Sequence, residues 1–586
     1  MPRLSFVPPA GILRPALLVV ALLTAAAPAQ HDDARATSAP ASRPAWRLAG
    51  EKSLYLRLHA DDAVRWYPWG DEALAEARRL GRPIFLSSGY ASCHWCHVMA
   101  RESFRDPAVA ALLDARFVCV KLDREERPDV DRVYLEACVN LTGRGGWPLT
   151  VFLTPDGLPF YATTYVPPDG DEPGFGALVR ALGDVWAERR DEVEASAEAA
   201  TEAFSLPHLS TRQLDARIAD LERRRMEVLL DAGAASRPAS GADVDGAASR
   251  PESDAERLAD RLRARIERLR EARAARATGA PTPDGAALLA RCAARLLALE
   301  DVEHGGFGFA PKFPAPLNLL ALLRDHARRG GEATLAAVRR QLAAMERGAL
   351  RDHLGGGWHR YATDRRWTAP HYEKMLYDQA LLASAYLEAW RTTGDAALAA
   401  RVRETLDFCL ETLRRPDGLF AAALDAESGG VEGAWYLWTR REIDAALAPD
   451  DAAALRAWAG FDAVERDEPQ SLAERVAPEV AAAAIGAPLT TFQVRLARGK
   501  ATLRERRAAR PPPARVDHAL AGWNALTVSA LADAGLALGV PRYVDAAIAA
   551  MDALDARMRR DDGLYARRSA DGEARFLGEL SDQAAI

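Results

Sequence analysis

A chain of 586 residues is too long for one ordinary domain and predicts two large domains with linkers. Its formal net charge of −7 excludes the basic excess of a typical nucleic-acid binder. Six cysteines at this length exclude a disulfide-rich scaffold, and of Cys93, Cys96, Cys119, Cys138, Cys292 and Cys409 only the first two lie close together.

Residues 1–29 read as an export signal. Arg3 and Arg14 precede an apolar run from Ala16 to Ala27, and Ala27-Pro28-Ala29 is a small-x-small cleavage site. The run is short for a bilayer span, and an uncleaved anchor is the competing reading. The expectation is an exported protein, periplasmic or extracellular, off the membrane once the signal is cut. Outside the cytosol a pair of nearby thiols can remain oxidised. Residues 30–47, rich in Ala, Ser, Pro and Asp, read as a disordered tether.

Residues 48–204 alternate helical and strand patterns, which predicts an α/β sheet with helices on its faces. DEALAEARRLGR is helical, Ile84–Leu86 a short buried strand, and Phe117–Leu122 a second strand. A helix follows through Val133–Leu135. Leu149–Leu153 is a strand, and Pro155-Asp156-Gly157 turns it into a hairpin. Cys119 and Cys138 fall on apolar positions and read as core. Asp123, Arg124, Glu125 and Glu126 read as a solvated loop, with a proton-moving role for Asp123 as the alternative.

The chemistry centres on Cys93-His94-Trp95-Cys96-His97, between the first strand and a helix. A cysteine at a helix N-terminus faces unpaired N–H groups and the positive dipole end, which favour thiolate. Cys93 is then the exposed nucleophile and Cys96 the resolving thiol one turn later. A protonated His94 further stabilises the thiolate. The same residues spell C-x-x-C-H, a c-type haem attachment motif, and contain four potential zinc ligands. Zinc fares worst, because His94 and Cys96 point to different sides of a helix. A merely structural pair of buried thiols is the bland alternative.

CHWCHVM, KLDREERPDVD, GGWPLTVFLTPDG and TYVPP resemble the thioredoxin-like domain of the spermatogenesis-associated protein 20 family, also called DUF255 or YyaL-type. The resemblance implies a thioredoxin fold with redox-active Cys93 and Cys96. It also implies a cis-proline at Pro148, opposite the pair; an ordinary strand-initial proline is the alternative. It weakens the haem reading, and no metal or cofactor is expected.

Residues 205–283 form a linker or insertion. ASRPASGADVDGAASRPESD reads as disordered. The segment after it carries Leu258, Leu262 and Ile266 every four residues between charges, which predicts a surface helix.

Residues 284–586 are nearly all helical by period, with Gly- and aromatic-rich loops between helices. GGFGFAPKFP, GGGWHRYATD, PHYEKMLYDQA, DAESGGVEGAWYLWT and AGWNALTVSALA resemble the helical barrel of the same family, which is similar to six-hairpin glycosidases and N-acylglucosamine 2-epimerase-like barrels. The fold class is therefore a thioredoxin-like α/β domain followed by an all-α (α/α) toroid. ARFLGELSDQAAI reads as the start of another helix, so an incomplete ring with an open seam is expected. Candidate cavity residues are His359, His371, Glu373, Asp425, Glu427, Asp517 and Asn524, with Trp358, Trp367, Trp435 and Trp438 as a stacking floor for a sugar. Carboxylates and a histidine can serve glycosidase or epimerase chemistry, or simply tie loops together.

The leading expectation is thiol–disulfide exchange through Cys93, Cys96, His94 and Pro148. The partner would be a protein or small-molecule disulfide or dithiol. A carbohydrate-active barrel with an accessory thioredoxin domain, and a non-catalytic ligand-binding protein, are the alternatives. Neither nucleic acid nor membrane is expected as a partner.

Overall fold

The computed structural model describes residues 47–168, 174–206, 209–235, 254–277, 284–464 and 466–586. The export signal, the tether up to residue 46 and the low-complexity stretch 236–253 lie outside the described residues.

The first domain is built on a five-stranded sheet, ordered β1-β3-β2-β4-β5. The strands are β1 (Tyr67–Pro68), β2 (Ile84–Gly89), β3 (Val118–Asp123), β4 (Leu149–Leu153) and β5 (Pro159–Thr163). β2 and β3 run parallel, with Ile84 opposite Val118. β4 runs antiparallel to β2, with Ser88 opposite Leu149. Every residue of β2, β3 and β4 is buried, because helices cover both faces. On one face Ala73 and Ala77 of the helix Asp71–Leu80, with Tyr134 and Cys138 of Pro128–Thr142, pack on Ile84, Leu86 and Val120. On the other, Phe104, Leu113, Phe175 and Leu182 pack on Phe85 and Phe152. This is a thioredoxin-type arrangement, and the hairpin turns at Gly157, whose φ of 83° suits glycine.

The two helices Thr211–Ala235 and Asp254–Ala277 form a hairpin. Leu262 and Ile266 are buried against Leu214, Ile218 and Leu221. The expected surface helix is thus corrected. Its apolar stripe has a partner in the preceding helix, and only Leu258 stays open to solvent.

In the second domain Pro316–Arg329, Leu376–Thr393 and Ala521–Leu538 stand side by side as an inner row. Each is followed by an outer partner, respectively Glu332–Arg347, Ala396–Phe408 and Pro541–Met558. This is α/α layering of the toroid kind. Between the second and third hairpins, four helices from Arg440 to Ala508 build a separate small core around Leu455, Trp458 and Phe492.

Two loops of this domain repeat one device. Lys312 Nζ donates to Asp301 Oδ2 at 2.7 Å and to the Gly305 carbonyl at 2.5 Å. Lys374 Nζ donates to Asp352 Oδ2 at 2.8 Å and to the Gly356 carbonyl at 2.7 Å. Both lysines are buried and both aspartates also cap backbone N–H groups of their loop. A second cation, Arg365 or Arg507, completes each site. A buried ion is tolerable only with such saturation by partners.

The proposed tryptophan floor is also corrected. Trp358, Trp367 and Trp438 are buried in apolar clusters. Trp358 Nε1 donates to Thr405 Oγ1, and Trp367 Nε1 to the His304 carbonyl.

Candidate functional site

Cys93 caps the N-terminus of the helix His94–Met99, with extended backbone and its Sγ accepting the Cys96 N–H at 3.3 Å. The two sulfurs are joined in a disulfide, with Cα atoms 5.3 Å apart. Gly89, the last residue of β2, lies directly behind the pair: a Cβ added there would sit 2.6 Å from Cys96 Sγ. The Trp147–Pro148 peptide is cis. Because Leu149 pairs with Ser88, Pro148 enters β4 at the end of the sheet from which the Cys93 loop departs.

One expectation is reversed here. Cys93 is not exposed: Cys93 and Cys96 are 2% and 1% accessible. The second domain covers them. Met375, Ala422, Ala423 and Val516 belong to the same apolar cluster as the two cysteines, and Ser92 Oγ lies 3.6 Å from Met375 Sδ.

Around that apolar contact runs a ring of polar pairs joining the two domains. His94 Nδ1 is 2.8 Å from Glu427 Oε1, and His94 Nε2 is 3.3 Å from Glu432 Oε2. His97 Nε2 is 3.2 Å from Asp425 Oδ2. Arg101 donates to both oxygens of Glu427, at 2.9 and 3.0 Å. Tyr90 Oη lies 3.0 Å from each oxygen of Glu373. Glu373 also accepts from Arg360 at 3.2 Å and from His371 Nε2 at 3.1 Å. His371 Nδ1 turns to Glu432, which thereby touches both His94 and His371.

The electrostatics follow from these contacts. Burial alone would push His371 down, but its hydrogen bonds to Glu373 and Glu432 outweigh that and hold it at about 9. Glu427, despite partial burial, is drawn down to about 2 by His94 and Arg101. Glu373 is fully buried yet held below the usual carboxylate range by Arg360, His371 and Tyr90. Burial pushes Asp378 up to about 7, against the pull of Arg360. In the core of the first domain burial lowers Lys121 to about 7; its Nζ bonds Ser87 Oγ at 3.1 Å and lies over Trp66 and Phe104.

Four of the candidate barrel residues, His371, Glu373, Asp425 and Glu427, are thus brought together at the mouth. They face the Cys93 helix rather than open space. The other three lie elsewhere. His359 is buried, with Nδ1 on the Tyr372 carbonyl, beside a gap of about 10 Å³, at most one water's worth. Asn524 spends its amide on the backbone of Phe420 and Leu520. Asp517 is 62% exposed and pairs with Arg515, so it is no cavity residue. A cleft of about 690 Å³ elsewhere in this domain is lined by Arg339, Arg347, Arg366 and Glu474, none of them a predicted cavity residue.

The charge cluster at the end of β3 is corrected too. Asp123, Glu125 and Glu126 are buried, not solvated. Asp123 accepts from Ser53 at 2.6 Å. Glu125 meets His518 at 2.7 Å and Glu126 meets Arg568, both from the second domain. Sequence reasoning missed Tyr90, Glu432, His518 and Arg568. Their partners across the domain interface lie hundreds of residues away, and no local spacing links them. Among the described residues no group of three or more His, Cys, Asp or Glu has the arrangement to hold a metal ion.

A thioredoxin-like domain docked by its CxxC face onto a helical α/α domain is the class of protein these features define. Residues 45–205 match a family described as "Protein of unknown function, DUF255", Thioredox_DsbH. The chain is similar to "Spermatogenesis-associated protein 20": it is 32% identical over 531 residues to the Homo sapiens protein. That match takes in 85% of this chain and 59% of the relative, so the chain spans little more than half the length of the curated protein it resembles. Among solved structures, a "DsbH Oxidoreductase" is similar at 18% identity and TM-score 0.17, covering 22% of this chain and 86% of that one. A "sugar epimerase from ruminal bacterium" is similar at 12% identity and TM-score 0.22, covering 51% of this chain and 97% of that one. Likeness at that level says nothing of activity.

Proposed function

We propose that this protein carries out thiol–disulfide exchange at Cys93 and Cys96, in an exported setting. The observation that carries the reading is the pairing of Cys93 as the helix cap, its sulfur on the Cys96 N–H, with a thioredoxin strand order around it. A helix N-terminus favours the thiolate that such chemistry needs. In the reducing direction the Cys93 thiolate attacks a substrate disulfide and expels one substrate thiolate. Cys96 then attacks the mixed disulfide, releasing the second thiolate and closing the Cys93–Cys96 bond. The substrate is a protein or small-molecule disulfide, or a dithiol in the reverse direction. Because the pair is covered, exchange follows parting of the two domain faces.

The test is alkylation with intact-mass readout, before and after reduction, on the signal-free chain. Two labels gained at Cys93 and Cys96 only after reduction, together with loss of disulfide reductase activity in Cys93→Ser, are expected. Full labelling without reduction, or unchanged activity in Cys93→Ser, would refute it. Activity on sugars lost only in His371→Ala or Glu373→Ala would move the function to the helical domain.

A further inference from the structure

Of the two residues between the cysteines Trp95 is exposed, but His94 is not left to solvent. His94, the residue after Cys93, is gripped at one nitrogen by Glu427 and approached at the other by Glu432. Both carboxylates come from the helical domain, from the short hairpin whose strands Glu427–Ser428 and Val431–Glu432 pair with each other. Glu427 is further fixed by Arg101 and by its own backbone, whose N–H donates to Asp425 Oδ1 at 2.9 Å. Glu432 is fixed by His371, and His371 by Glu373. His97, one turn along the same helix, meets Asp425. The charged groups facing His94 are therefore Glu427, Glu432, Arg101 and His371.

We infer that Glu427 and Glu432 are positioning residues that set the thiol chemistry of Cys93 by holding His94 against the helical domain. The inference rests on the thiol–disulfide reading above. Two physical routes give the same sign. Each carboxylate places a negative charge on the residue next to Cys93, and a negative charge there opposes thiolate formation. Each also keeps the His94 ring engaged, so that it is not free to turn toward the sulfur. Removing either carboxylate favours the reduced, thiolate form and makes the disulfide more oxidising. The helical domain thereby holds the couple more reducing than the bare thioredoxin domain would be.

The experiment equilibrates the full chain with defined mixtures of reduced and oxidised glutathione. One protein disulfide is broken and one glutathione disulfide formed, with two electrons and two protons transferred. Glu427→Gln and Glu432→Gln are each expected to shift the equilibrium toward the protein dithiol by about tenfold, equivalent to about 30 mV. Arg101→Gln, at a half-exposed position, is expected to shift it the opposite way, which a general loosening of the interface would not do. Glu432→Asp, which keeps the charge, should restore most of the wild-type value. In a His94→Gln background the two glutamine substitutions should move the equilibrium in the same direction but by less than in wild type, because only the direct charge effect remains. A wild-type couple whose equilibrium is unmoved by either substitution, or moved the same way by Arg101→Gln, overturns the inference alone. A wild-type chain with no glutathione-reducible bond between Cys93 and Cys96 overturns the underlying reading and this one with it.

Discussion

Glu373 is the polar pivot of the domain interface, and replacing it with glutamine is the sharpest single perturbation. The carboxylate is buried and accepts from Tyr90 of the first domain and from Arg360 and His371 of the second. Glutamine keeps the shape and one acceptor oxygen but removes the charge. Arg360, itself buried, then loses its carboxylate partner. Breaking a buried ion pair by removing one member costs about 3–5 kcal/mol. A compensation is built in beside it. Asp378, held at about 7 by burial, lies within the field of both Arg360 and Glu373. Without the Glu373 charge Asp378 ionises more readily and takes over part of the role, which puts the cost near the lower bound, about 3 kcal/mol. At about 2 °C per kcal/mol for a large domain this is a loss of roughly 6 °C. Calorimetry at pH 7 on wild type, Glu373→Gln, Asp378→Asn and the double variant measures it. The double variant should cost more than the two singles added. A Glu373→Gln transition within 1 °C of wild type, or strict additivity, would refute the reasoning (the 1 °C bound being about 0.5 kcal/mol on the same scale).

Three further outcomes are expected. His371, held at about 9 against an ordinary 6.5, contributes stability that is full below pH 6.5 and lost as pH rises toward 9. The melting temperature of wild type should fall across that window, by up to roughly 3 kcal/mol of stability, and His371→Asn should flatten the slope. Gly89→Ala would place a methyl group 2.6 Å from Cys96 Sγ in a packed site, and overpacking of this kind costs about 1–3 kcal/mol. A variant with unchanged melting temperature would show that the site gives way freely. Leu262→Ala should weaken the 211–277 hairpin by about 2–5 kcal/mol, exposing it to limited proteolysis while disulfide exchange is retained. Equal protease resistance in variant and wild type would mean the two helices do not depend on that contact.

Much of the fold was legible in the chain because it rests on local rules. Strand β2 reads as an apolar run before Gly89, the β4–β5 hairpin as Pro155-Asp156-Gly157, and the helices of the second domain as three- and four-residue apolar spacing. The position of Cys93 at a helix start follows from its sequence neighbours alone. What the sequence by itself determined is therefore the two domain types and the location of the dithiol. Only the tertiary structure decided what that dithiol faces. Burial of Cys93 comes from Met375 and Ala423, and the partners of His94 are Glu427 and Glu432, over 300 residues further on. The supposed solvated acids Glu125 and Glu126 are buried for the same reason, their partners being His518 and Arg568 of the second domain. Side chains that pair across a domain interface leave no period or spacing in the chain. Desolvating a charge is tolerable only once the folded partner is in place, and that partner is a property of the assembled surfaces rather than of either segment.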